Sequence, residues 1–100
     1  MSYGLSNEDA QRINSIFTAY PAVEKVIIFG SRAMGNYKPG SDIDLAVLGD
    51  SLKFKDILQL HTHLEGLGMI YSFDLQLYNA ITDPDVLDHI KRVGKEFYRR

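Results

Sequence analysis

The stretch FGSRAMGNYKPGSDIDLAVLGD, residues 29–50, sets a Gly-Ser pair, Gly30 and Ser31, ten residues ahead of an Asp-Ile-Asp that opens an apolar run. On a strand, residues two apart share a face, so Asp42 and Asp44 would stand side by side, about 6.6 Å apart along the backbone. Carboxylates so placed repel each other unless a cation sits between them. Hard divalent ions such as Mg²⁺ take one or two carboxylates and complete their shell with substrate phosphates, so the pair suits a nucleoside triphosphate. Gly30 and Ser31 offer the phosphates a seat. Glycine lets the backbone come close, and a helical turn starting there presents free N–H groups and a positive dipole end. Arg32 and Lys38 are near enough in sequence to neutralise further charge. Arg32 suits a surface ion pair as well as a phosphate, and Lys38 suits a solvated position.

Other motifs fail on specific residues. A P-loop needs Lys and Ser or Thr after its second glycine, but Asn36 and Tyr37 follow Gly35. A calcium loop starting at Asp42 needs Asp or Asn at Ala46 and glycine at Val47. HTHLE lacks the order of a zinc-protease helix, and His61 and His63, two apart on a helix, face different directions.

The flanking chain predicts the elements that carry these residues. Ser6 can cap a helix with Ala10, Ile13, Ile16, Phe17 and Tyr20 on one stripe, ended by Pro21. EKVIIFG reads as a buried strand, and SRAMG has room for little more than one helical turn. SDIDLAVLG alternates, with Asp42, Asp44 and Ala46 on one face and Ile43, Leu45 and Val47 on the other. Phe54, Ile57, Leu58, His61 and Leu64 follow at helical spacing. YSFDLQLY alternates again and puts a third carboxylate, Asp74, in the middle of an otherwise apolar strand. DPDVLDHIKRVG is a helix with Asp83 as N-cap, Pro84 in its first turn, Val86, Leu87, Ile90 and Val93 as its stripe and Gly94 at its end. KEFYRR can add a short edge strand or serve as a basic surface. The order α-β-α-β-α-β-α predicts a small α/β sandwich with strand directions left open, and residues 1–100 read as one domain.

Composition narrows the classes. Without cysteine there is no disulfide framework, thiolate metal site or cysteine nucleophile, and a reducing cytoplasm is the expected setting. A net charge of −2 gives no bulk attraction to nucleic acid, and no apolar run is long enough to span a bilayer. Tyr20 and Tyr71 fall on apolar stripes, which marks them as core rather than acceptor hydroxyls.

Gly-Ser, ten residues, Asp-x-Asp and a later strand carboxylate together resemble the nucleotidyltransferase superfamily that includes DNA polymerase beta. The resemblance is closest to its minimal nucleotidyltransferase (MNT) domains, and it extends over almost the whole chain. It implies a polymerase beta-like fold with a small mixed sheet packed by helices. It also implies that Asp42, Asp44 and Asp74 hold two Mg²⁺ ions, with Gly30, Ser31 and Arg32 at the nucleotide. Met34 departs from the GSRARG of many minimal members, where a second arginine stands.

The activity so implied is transfer of a nucleoside monophosphate, AMP from ATP, to a hydroxyl. By the same resemblance the acceptor is a tyrosine of a HEPN-domain toxin, with this chain as the antitoxin. The alternatives are a non-catalytic nucleotide- or HEPN-binding module and, more remotely, a small-molecule transferase of the aminoglycoside type. The sequence leaves the oligomeric state open.

Overall fold

A computed structural model describes residues 3–100. Its elements are α1 (Asn7–Thr18), β1 (Lys25–Phe29), α2 (Gly30–Met34), β2 (Ile43–Leu48), α3 (Phe54–Glu65), β3 (Phe73–Leu77), a 3-10 turn (Tyr78–Ala80), α4 (Pro84–Val93) and β4 (Lys95–Arg99). The four strands form one mixed sheet in the order β3-β2-β1-β4. β1 runs antiparallel to both β2 and β4, and β2 runs parallel to β3. KEFYRR thus does form an edge strand, paired to β1 with a register shift between Val26 and Ile27.

Local signals explain the helix ends. The Ser6 side chain accepts the Asp9 N–H at 3.0 Å and starts α1. α1 ends at Thr18, so Tyr20 lies beyond it rather than in its last turn. There the guanidinium of Arg100 donates to the carbonyls of Phe17, Thr18, Tyr20 and Val23, which serves a helix end that has no basic residue of its own. Asp83 accepts the Asp85 N–H and, with Pro84 following, opens α4.

The two faces of the sheet are unequal. Val26, Ile28, Ile43, Leu45, Val47 and Phe73 face α1 and α3, whose Ile13, Phe17, Ile57, Leu60 and Leu64 complete the main core. The stripe of α3 is therefore rotated from the expected one: Phe54 is 67% exposed and Leu58 55%. Phe29, Ala46 and Ile90 form a much smaller cluster on the opposite face, under α4. A fully buried aliphatic side chain contributes roughly 1.5–3 kcal/mol, so α4, which buries only Ile90, is held far more lightly than α1 or α3.

Candidate active site

Alternation along β2 puts Asp44 on the same face as Ala46, the face that α4 covers. The register then builds a row across the sheet: Phe29 of β1 opposite Asp44, and Asp44 opposite Asp74 of β3. One residue pair further along, Ile27, Ala46 and Gln76 form the next row, where the apolar packing begins. The two carboxylates therefore stand at the rim of the α4 face, Asp44 half-buried and Asp74 exposed on the edge strand. Asp42 precedes the first residue of β2 and is exposed.

Gly30 forms the wall of this site. Its φ is +74°, a conformation open chiefly to glycine, and a Cβ placed on it would collide with the Asp44 carboxylate oxygen Oδ2. The strand-to-helix bend after Phe29 is thus pressed directly onto the carboxylate. α2 begins there with Phe29 as its N-cap and no side-chain capping bond, so Ser31 is its second residue.

Electrostatics agree with the geometry. The Asp44 carboxyl is pushed up to about 6, first by burial, then by the neighbouring charges of Asp74 and Asp42 and a hydrogen bond with Asp74; Arg32 opposes this only weakly. The site carries an excess of negative charge that its own cations do not cancel. Among the described residues, no three His, Cys, Asp or Glu side chains close into a metal cage. The donors fit instead a hard cation whose shell is completed by water and phosphate, as Mg²⁺ prefers.

Arg32 is placed differently from the expectation that it meets the nucleotide. It is 2% exposed. Its Nε and Nη2 donate to the Ser41 carbonyl at 3.1 and 2.9 Å, and Nη1 donates to the Tyr3 carbonyl at 2.8 Å. The rings of Tyr37 and Tyr71 lie 5.2 and 5.0 Å from its guanidinium carbon. It ties the loop before Asp42 to α2 and to the start of the chain, and so supports the site from behind. Lys38 is exposed, and its backbone N–H is held by the Ser41 hydroxyl.

One residue at the site was invisible in the sequence. His89 of α4 accepts the Gly30 N–H on Nε2 at 3.1 Å. Nothing in DPDVLDHIKRVG singles it out, because its partner lies 59 residues away.

Residues 11–100 match the family described as polymerase beta nucleotidyltransferase. A Methanocaldococcus jannaschii protein, provisionally assigned as a protein adenylyltransferase, is 31% identical over 87% of this chain and 80% of its own length. Among solved structures, a toxin-antitoxin complex with AMP-PNP superposes with a TM-score of 0.73 at 23% identity, over 91% of this chain and 73% of that one. A complex of tri-AMPylated Shewanella oneidensis HEPN toxin with MNT antitoxin gives a TM-score of 0.69 at 20% identity, over 96% and 74%. These two likenesses establish the fold.

Proposed function

The chain belongs to the polymerase beta nucleotidyltransferase family, and from that premise we propose that it adenylylates a protein hydroxyl, a tyrosine of a HEPN-domain partner, using MgATP. The observation that carries this reading is the pairing of Asp44 with Asp74 across β2 and β3, with Gly30 packed against Asp44 where a Cβ would not fit. The protein adenylyltransferase relative and the antitoxin complexes of the same fold support the choice of acceptor.

Asp42, Asp44 and Asp74 would hold the Mg²⁺. When bound, it supplies charge neutralisation at the triphosphate and lowers the pKa of the acceptor hydroxyl. The chain's own residues do the rest. Gly30 and Ser31 let the backbone approach the phosphates closely. Asp74, exposed on the edge strand, stands where an incoming hydroxyl can reach it and takes the proton. The hydroxyl oxygen bonds to the α-phosphorus, the bond from that phosphorus to the bridging oxygen breaks, and pyrophosphate leaves with the electron pair. Such a transfer depends mainly on positioning and electrostatics.

A second reading, a nucleotide- or HEPN-binding module without turnover, draws on the position of Asp42 outside β2. Pyrophosphate release decides between them. With MgATP and the partner protein, the first reading expects release that Asp74→Asn abolishes, and the second expects none.

A further inference from the structure

α4 is lightly anchored by apolar contact, yet it reaches into the site through His89. This residue immediately precedes Ile90, the one buried residue of the helix. The His89 ring stands edge-on to Phe29, with centroids 6.1 Å apart and planes at 78°. Its Nε2 accepts the Gly30 N–H.

The bond falls on the residue that most needs it. Gly30 holds a φ of +74° in a bend where a Cβ would meet the Asp44 carboxylate, but glycine is also the residue freest to leave any one conformation. Phe29 on one side is fixed by the sheet through its pairing with Asp44. On the other side α2 is only five residues long. An acceptor for the Gly30 N–H closes the remaining freedom and satisfies a donor at a half-buried position.

We propose that His89 is a positioning residue for the nucleotide: by accepting the Gly30 N–H it pins the bend after Phe29 against the Asp44 carboxylate and fixes the backbone along which a triphosphate lies. This rests on the nucleotide reading above.

Two variants separate positioning from packing. His89→Phe keeps a ring beside Phe29 and loses the acceptor, whereas His89→Gln keeps an acceptor and loses the ring. Calorimetric titration with Mg²⁺ and AMP-PNP is the measurement, with thermal melts confirming that each variant is folded. Positioning predicts that His89→Phe weakens binding about tenfold, the scale of one lost hydrogen bond, and that His89→Gln stays within about twofold of the unmodified chain. The reverse order, or no change in either, overturns it. Hydrogen exchange of the unmodified chain gives an arm independent of both variants: the Gly30 amide should be protected, and fast exchange there overturns the proposal. Absence of AMP-PNP binding by the unmodified chain would instead remove the nucleotide reading, and this inference with it.

Discussion

Asp44 and Asp74 sit directly opposite each other on two parallel strands, the one place in the β2–β3 pairing where both partners are acidic. Like charges in register destabilise a sheet, and the Asp44 carboxyl is raised first by its burial and then by this repulsion. The fold retains a local strain that a bound cation would relieve.

Removing that conflict should stabilise the empty protein. A carboxyl raised from 3.8 in the unfolded chain to about 6 in the fold favours folding below 3.8 and loses that contribution as pH rises through 6. Asp44→Asn should therefore match the unmodified chain near pH 3.5 and exceed it at pH 8. The gain should be about 0.2–1 kcal/mol, because the group is only half-buried and solvent screens the repulsion. Urea titrations at the two pH values test this, and equal stability at pH 8 would contradict it. The same variant should lose most of the thermal stabilisation that Mg²⁺ with AMP-PNP gives the unmodified chain.

Gly30→Ala should be costly for two reasons that act together. The left-handed conformation alone costs about 1–2 kcal/mol for a residue with a Cβ, and the Cβ would also push the Asp44 carboxylate aside. Nucleotide affinity should fall along with stability. A variant as stable as the parent would show that the bend does not press on Asp44.

Arg32 should behave as a core residue. Arg32→Met strands the carbonyls of Ser41 and Tyr3 and should cost about 3 kcal/mol in urea unfolding, the scale of hydrogen bonds to a charged group. Arg32→Lys should recover little of this, since a lysine cannot reproduce the forked donation to Ser41. Unchanged stability with weakened nucleotide binding would return Arg32 to the phosphates.

Arg100→Ala should destabilise by about 1–3 kcal/mol, because it removes the charged donor that the carbonyls at the end of α1 share. Amide exchange should rise first at Ala19 and Tyr20, whose N–H groups are bonded to Ser15 and Phe17. No change in that region would leave the cap without an energetic role.

The strand positions of Asp44 and Asp74 were legible in the sequence because they depend on local rules. A period of two along β2 puts Asp44 on one face with Ala46, and an acidic residue inside an apolar strand marks Asp74, whereas Asp42, expected on the strand beside Asp44, lies just ahead of it. The pairing of Asp44 with Asp74 was not legible, because it depends on the direction of β3 and its register with β2. Arg32 was misplaced for a related reason. Its partners Ser41, Tyr3 and Tyr71 are brought together only by the fold, and a cation beside a candidate phosphate seat looks the same in sequence whether it faces the seat or supports it. On α3, Phe54 and Leu58 lie on one helical stripe and Ile57, Leu60 and Leu64 on an overlapping one. Spacing alone does not choose between them; the sheet does, by covering the second.

Intact-protein mass spectrometry of this chain incubated with MgATP and a cognate HEPN-domain protein tests the central claim most directly. The account predicts that the partner gains the mass of one or more adenylates on a tyrosine, and that Asp74→Asn leaves the partner's mass unchanged while the two proteins still bind. A partner that binds tightly but keeps its mass with each of the four nucleoside triphosphates would contradict the transfer reading and leave Asp44 and Asp74 as a nucleotide-holding site.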